Sequence, residues 1–249
     1  MEKQFSLEQI AEMGLNDNIP KHIGIIMDGN GRWATKRGMI RSMGHRAGVE
    51  RLRGIIKMSS KLGVKALSLY VFSTENWKRP KEEVGVLFNL IVEYFKKEIR
   101  ELSDNGVVIS VLGDMDSLPD LVRETLEEAI KITSQNTGLK LNLSINYGGR
   151  AEIANAFKQM ANEIENNKLN INDVDEKTIS QYLYTKGLPD VDLVIRTGGE
   201  QRLSNFLLYQ VAYAEFIFTD TYWPDFSDEE YVEAIKEFQR RNRRYGGLK

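Results

Sequence analysis

The stretch His22-Ile-Gly-Ile-Ile-Met-Asp-Gly-Asn-Gly-Arg-Trp-Ala34 constrains this chain more than any other. Residues 23–27 form an apolar run with the length and composition of a strand buried on both faces. The run ends in a carboxylate, Asp28, followed by Gly29, Asn30, Gly31, Arg32 and Trp33. A strand that closes in a glycine-rich turn with an acid and an arginine has the parts of a phosphate site. Glycines let backbone N–H groups approach oxygens, the arginine neutralises charge, and the aspartate can hold a divalent ion. Asp-Gly and Asn-Gly also signal hairpins, but a hairpin needs a second alternating strand at once. Residues 35–46 are instead basic and glycine-punctuated, with Lys36, Arg37, Arg41, His45 and Arg46, and run into a helical pattern. No Gly-x-x-x-x-Gly-Lys-Ser/Thr stands nearby. Gly29-Asn-Gly31 with Ala34 makes only a loose dinucleotide fingerprint, because no helix is expected to open directly on the turn and no second strand ends in an acid about 20 residues on.

Residues 66–72 read as a second buried strand, followed by the loop Ser73-Thr-Glu-Asn-Trp-Lys-Arg-Pro80. Further strands are expected at 107–112, 139–145, 191–195 and 214–218. Helices are expected at 6–13, 43–62, 119–135, 151–165, 179–184 and 228–240. Residues 84–95 are apolar almost all round; such a helix either lies buried between layers or turns one face to a cavity for a greasy ligand. Strands alternating with helices predict a mostly parallel six-stranded sheet flanked by helices. With no internal repeat, linker or low-complexity tract, residues 1–249 read as one α/β domain.

Composition excludes several functions. The 34 basic and 36 acidic residues balance to −2, which argues against a nucleic-acid partner. The absence of cysteine excludes disulfides, thiolate nucleophiles and Cys-ligated metals. Residues 1–6 lack the basic and apolar regions of a signal peptide, and no apolar run has the length to cross a bilayer. A soluble, cytoplasmic protein is expected.

Ligands of open parallel sheets bind outside the carboxyl ends of the strands. Asp28, Ser73 and Arg196 each follow a strand, so three separate loops are expected to form one site. Arg196-Thr-Gly-Gly-Glu-Gln-Arg-Leu-Ser204 has two arginines, two glycines and a serine suited to phosphate oxygens. Glu215, a carboxylate within a buried strand, needs either a structural arginine partner or a metal shared with Asp28. His45 is either a core or surface histidine or, among the cations after the glycine turn, an oxygen ligand. A phosphotransferase acting on nucleotides would share the glycine turn and the arginines.

The motifs at 22–34, Ser73-Thr-Glu-Asn-Trp77, Asn146-Tyr-Gly-Gly-Arg150 and Arg196-Thr-Gly-Gly-Glu-Gln-Arg-Leu-Ser-Asn-Phe206 together resemble the cis-prenyltransferases, in order and across residues 20–247. The resemblance implies a hydrophobic tunnel beside the sheet and a homodimer that adds isopentenyl pyrophosphate to farnesyl pyrophosphate in Z geometry with Mg²⁺. The implied product is undecaprenyl pyrophosphate, the lipid carrier precursor for cell-wall glycan. By motif position, Asp28 is the essential acid at the allylic pyrophosphate and the metal, with Gly29, Asn30, Gly31, Arg32, Arg41 and His45 around it. Arg196, Arg202 and Ser204 would hold isopentenyl pyrophosphate, and Glu215 would be a second metal ligand. Ser73, Glu75, Asn76, Trp77 and Arg79 resemble the family's mobile loop, with Asn76 implicated in proton removal; Trp33, Thr74 and Leu203 lie inside the same motifs and are counted as substrate-binding. Residues 84–95 with Leu139, Leu141 and Leu143 are expected to line the tunnel. Arg244-Tyr-Gly246 resembles a motif that reaches the partner subunit's site. Arg240, Arg241, Arg243 and Arg244 would supply any peripheral membrane contact for product release, against the commoner reading of a solvated helix end.

Overall fold

The computed structural model describes residues 4–242. In chain order the elements are α1 (Leu7–Glu12), β1 (His22–Ile26), α2 (Asn30–Lys36), α3 (Arg41–Lys61), β2 (Ala66–Ser73), α4 (Lys81–Asp104), β3 (Val108–Leu112), α5 (Asp120–Thr133), β4 (Lys140–Tyr147), α6 (Gly149–Glu165), α7 (Glu176–Ser180), β5 (Leu193–Arg196), β6 (Glu215–Phe218) and α8 (Asp228–Arg240). Short 3₁₀ turns lie at Thr74–Lys78, Ile171–Asp173 and Trp223–Asp225. The six strands form one all-parallel sheet in the order β3-β4-β2-β1-β5-β6. From β1 the chain lays β2, β3 and β4 on one side, with β4 returning between β2 and the edge strand β3, then crosses to the other side for β5 and β6. The direction of winding therefore reverses between β1 and β5, which is where open parallel sheets leave a crevice for ligand.

Alternation along the strands divides the core in two. Ile23 and Ile25 of β1, Leu67 and Leu69 of β2, Leu141, Leu143 and Ile145 of β4, and Leu193 and Ile195 of β5 join a large cluster with residues of α3, α4, α5 and α8. Ile26, Val194 and Tyr147 point the other way, into a thinner layer with Phe206, Leu207 and Val211. The second face also carries a buried polar chain across four strands. Ser110 donates to Asn142 Oδ1 (2.6 Å), Asn142 Nδ2 donates to Ser68 Oγ (3.1 Å), and Ser68 lies 2.7 Å from His22 Nε2. His22 Nδ1 lies 2.7 Å from the Pro189 carbonyl, so Nδ1 carries the proton and Nε2 accepts from Ser68. Every member is satisfied by its neighbour, which is the condition for burying such a row.

Two expectations need correction. A helix does open directly on the glycine turn: Gly29, with φ 103°, is the N-cap of α2. The helix between 81 and 104 starts one turn earlier than its apolar stretch, because Lys81, Glu82 and Glu83 form a polar first turn after Pro80. Helices α2 and α3 approach so closely that a Cβ at Gly44 would lie 1.9 Å from the Asn30 carbonyl oxygen. By contrast, nothing lies within 4 Å of a Cβ at Gly85 in α4.

That contrast sets one expectation: Gly44→Ala destabilises the protein by more than about 2 kcal/mol, while Gly85→Ala stabilises it by roughly 0.5–1 kcal/mol, in denaturant titrations. A second concerns pH. The chain has two histidines, and burial holds both His22 and His45 below the usual value of 6.5. Unfolding therefore takes up protons below that value, and stability present at neutral pH is lost as pH falls through the folded pKa values. Each histidine contributes a slope of up to about 1.4 kcal/mol per pH unit. His22→Gln should remove its share of that slope when unfolding midpoints are compared from neutral pH to about pH 5.

Candidate active site

The site is built on the carboxyl ends of β1 and β5. Asp28, two residues beyond β1, is fixed through its backbone: its N–H donates to Thr197 Oγ1 (3.0 Å), and its carbonyl accepts from Thr197 Oγ1 (2.7 Å) and the Trp223 N–H (3.0 Å). Its carboxylate meets two cations, Arg196 Nη2 at 2.9 Å on Oδ2 and Arg32 Nη2 at 3.0 Å on Oδ1. The Gly29 N–H also donates to Oδ1 at 2.6 Å. Partial burial acts to raise the Asp28 pKa, but the hydrogen bonds and charges of Arg196 and Arg32 outweigh it, so the group is held below the usual carboxylate value.

Arg196, the last residue of β5, is itself buried. Its Nη1 donates to Ser204 Oγ (2.8 Å) and to the Arg202 carbonyl, while its buried Nε has no hydrogen-bond partner. Arg202 pairs with Glu200 (2.5 Å), which also faces Arg32 at 3.7 Å. The 203–207 turn that presents Ser204 holds Ser204, Asn205 and Leu207 at positive φ. It is pinned from outside: Asn205 Oδ1 accepts from the Arg150 N–H (2.9 Å), the Asn205 carbonyl accepts from the Gly149 N–H (2.7 Å), and Tyr70 OH donates to the Ser204 carbonyl (3.1 Å). The Asn146-Tyr-Gly-Gly-Arg150 motif thus serves to anchor this turn.

A second group of cations gathers on Glu83. Its Oε1 lies 3.0 Å from Arg79, 3.3 Å from His45 and 3.5 Å from Arg41. Burial acts to raise the Glu83 pKa, yet the charges of Arg41 and Arg79 prevail and lower it. Burial lowers the His45 pKa, opposed by its hydrogen bond to Glu83. Ser73 and Asn76 form a capping box over the 3₁₀ turn, with Asn76 Oδ1 accepting the Ser73 N–H at 3.1 Å.

These groups share one cavity of about 540 Å³. Asp28, Gly29, Asn30, Gly31, Arg32, Arg41, His45, Ser73, Asn76, Arg79, Arg196, Arg202 and Ser204 line its polar part. Val49, Leu52 and Ile56 of α3, Leu87, Leu90, Ile91, Tyr94 and Phe95 of α4, and Leu69, Leu141, Leu143 and Ile145 of the sheet line the rest. Both readings of the apolar helix hold for α4: Val84, Phe88 and Val92 are buried in the larger core, while Leu87, Leu90 and Tyr94 face the cavity.

Other expected residues lie elsewhere. Trp33 donates to Asp225 (2.6 Å) with Arg37 stacked on its ring, and Leu203 packs on the thin core layer. Trp77 donates to Asn146 (2.8 Å) and packs on Phe72 and Phe88, Thr74 donates to Glu75, and Glu75 accepts from Asn205 (2.9 Å). These hold the loop rather than line the cavity. Leu139 is buried in the larger core without reaching the cavity. Glu215 is not brought to Asp28. It is the first residue of β6, level with Leu193 and so with Ile23, and pairs with Arg241 at 2.9 Å. That puts it five residues from the level of Asp28, on the order of 15 Å along the strand direction. The structural ion pair is the reading that holds within this chain. Arg243, Arg244 and the 244–246 motif lie outside the described residues.

Sequence reasoning passed over Glu83, Thr197 and Glu200. An acid in the first turn of a helix ordinarily complements the helix dipole, which hid Glu83. Among the described residues no group of three or more His, Cys, Asp or Glu is placed to hold a metal ion. Asp28 alone beside arginines suits Mg²⁺, which is usually held by one or two carboxylates together with substrate phosphates. No helix among the described residues is long and apolar enough to cross a membrane.

The chain was compared with known proteins. The prenyltransferase family model described as "Putative undecaprenyl diphosphate synthase" matches residues 26–246. The isoprenyl transferase of Clostridium tetani is 55% identical over 232 residues, 93% of this chain and 91% of its own. The isoprenyl transferase of Bacillus subtilis is 49% identical over 234 residues, 94% and 90% of the two chains. Among solved structures, lavandulyl diphosphate synthase from Lavandula x intermedia, in complex with dimethylallyl diphosphate, superposes with a TM-score of 0.89 at 35% identity, over 92% of this chain and 98% of that one. A probable undecaprenyl diphosphate synthase from Campylobacter jejuni gives 0.76 at 35% identity, over 92% and 99%. An identity near one half over nearly the whole length, on the same fold and with the four motifs in place, leaves one assignment: the chain belongs to the undecaprenyl diphosphate synthase family of prenyltransferases.

Proposed function

We propose that the protein is a Mg²⁺-dependent cis-prenyltransferase that condenses isopentenyl diphosphate onto farnesyl diphosphate in Z geometry to make undecaprenyl diphosphate, the precursor of the lipid carrier for cell-wall glycan. The observation that carries this reading is the single cavity, cationic around Asp28 and apolar between the sheet, α3 and α4. A diphosphate with a prenyl tail needs both ends of such a space. The relatives named isoprenyl transferase, and the similar lavandulyl diphosphate synthase in complex with an allylic diphosphate, support it.

Breaking the allylic C–O bond leaves charge on the departing diphosphate, and preorganised donors aimed at that charge lower the barrier. Arg32, Arg41 and His45, with the backbone of Gly29, Asn30 and Gly31, take the allylic diphosphate. Arg196, Arg202 and Ser204 take the diphosphate of isopentenyl diphosphate, and the buried, unpartnered Arg196 Nε is a donor suited to such an anion. An entering diphosphate competes for the guanidinium groups that now pair with Asp28 and frees the carboxylate, the group that would hold Mg²⁺. Mg²⁺ bound at Asp28 would supply neutralising charge for the leaving group. The isopentenyl double bond attacks the allylic carbon and a proton leaves its C2. Asn76 orients rather than abstracts, since an amide is a poor base and its oxygen is already engaged by Ser73. The proton passes to diphosphate oxygen or water. The protein acts in the cytoplasm as a homodimer, for which the edge strand β6 offers Phe216 stacked on a partly exposed Phe218, with Tyr213 exposed nearby.

The direct test is incubation of purified protein with farnesyl diphosphate, labelled isopentenyl diphosphate and Mg²⁺, with mass analysis of the product; farnesyl diphosphate with Mg²⁺ should raise the unfolding midpoint and ATP should not. Asp28→Ala should lower turnover at least ~10²-fold, about 2.7 kcal/mol of barrier, with the α/β circular dichroism spectrum retained. Near-normal turnover would remove Asp28 from the mechanism. Arg196→Ala should chiefly raise the KM for isopentenyl diphosphate; a change confined to farnesyl diphosphate would exchange the two subsites.

A further inference from the structure

Glu152, in the first turn of α6, is only 1% exposed, yet none of the residues it bonds is a cation. Its Oε2 accepts from the Tyr147 hydroxyl (2.6 Å), its Oε1 from the Tyr184 N–H (2.8 Å), and both oxygens from Gln210 Nε2 (3.1 Å). Gln210 Nε2 also donates to Thr185 Oγ1 (2.9 Å). A buried carboxylate is costly; this one is tolerated because every partner donates to it and the start of α6 carries partial positive charge. Glutamine would be the cheaper neutral residue of the same shape, but it offers one acceptor oxygen and turns an NH₂ group toward donors. The position therefore calls for an acid.

The acid is tied to the anion-binding turn by two routes. The Tyr147 hydroxyl, committed as a donor to Glu152, is left to accept from the N–H of Leu207, at the end of the turn that presents Ser204. Gln210 follows three residues later, and its carbonyl accepts the Val191 N–H (3.1 Å) on the approach to β5 and Arg196. Phe206, beside Leu207, is wholly buried, edge-on to Tyr147 and stacked on Tyr70. We propose that Glu152 is a positioning residue for the isopentenyl diphosphate subsite: by orienting the Tyr147 hydroxyl and the Gln210 amide it holds the 203–207 turn where Ser204 meets Arg196. The inference rests on the assignment of that subsite under the function proposed above. Glu152 does not line the cavity and acts only through its two hydrogen-bonded side-chain partners. Reversing one of those bonds shifts the turn, and with it the Ser204 Oγ that now stands 2.8 Å from the Arg196 guanidinium.

The test measures the KM for each substrate separately, with Mg²⁺ and labelled isopentenyl diphosphate, at a temperature well below the unfolding midpoints. It compares wild type with Glu152→Gln, Tyr147→Phe, the double variant and Arg196→Ala. Glu152→Gln and Tyr147→Phe should each raise the KM for isopentenyl diphosphate roughly tenfold and leave that for farnesyl diphosphate within about twofold. Because the two act through one bond, the double variant should be little worse than the worse single, and fully additive effects overturn the proposal. A merely structural role lowers the unfolding midpoint with both KM values unchanged; that result overturns it too, as does an equal rise for both substrates. If Glu152→Gln does not fold, Tyr147→Phe alone decides, since it keeps the ring and removes only the hydroxyl. If Arg196→Ala and both single variants move only farnesyl diphosphate, the assignment of the subsite is what fails, and the positioning role holds for the other substrate. A wild type that elongates no primer overturns the activity and this inference with it.

Discussion

The ion pair between Asp28 and Arg196 joins the ends of β1 and β5, the two paired strands between which the winding reverses. Everything else at the site is arranged about it. Thr197 and the Trp223 N–H fix the Asp28 backbone, and Ser204 with the Arg202 carbonyl fixes the guanidinium. Burying one member almost completely leaves it dependent on its partners, since an arginine in such surroundings is stable only while an anion or acceptors face it. The same dependence makes it receptive, because a phosphate oxygen satisfies guanidinium as well as a carboxylate does.

The division of labour between the two faces of the sheet follows from alternation along the strands. One face is apolar across β1, β2, β4 and β5 and opens into the cavity beneath α3 and α4. The other carries the polar row from Ser110 to His22 and the aromatic stack of Tyr70 on Phe206. Hydrogen bonds are directional and aromatic packing is close, so this face is fitted to hold register. The helices over the opposite face supply a wall of leucine and isoleucine, which conforms to an apolar guest without a fixed set of polar contacts.

Much of this was legible in the residues. The six strands, their parallel arrangement and the meeting of the 28, 73 and 196 loops follow from apolar runs of strand length separated by helical periodicity. Other parts were not, each for a physical reason. Helix α2 is short, and glycines at both of its borders mask its period. Glu83 sits where helices commonly carry an acid, so its service as a shared anion for Arg41, His45 and Arg79 depends on tertiary contacts that no local pattern encodes. Glu215 was read correctly as a carboxylate on a strand, but whether it stands at the top or the bottom of that strand is a question of register, which a single strand's sequence leaves open. The tryptophans at 33 and 77 were counted with the ligand because they lie in its motifs, while their indole N–H groups serve the scaffold.

The turn from Leu203 to Leu207 has a consequence of its own. Three non-glycine residues there adopt left-handed backbone angles, a conformation that persists only where surrounding contacts outweigh its strain. Those contacts come from Gly149, Arg150 and Tyr70, of which only Tyr70 reaches the cavity. The mould for one anion is thus cast when the chain folds rather than when the guest arrives, so docking there forfeits little conformational entropy.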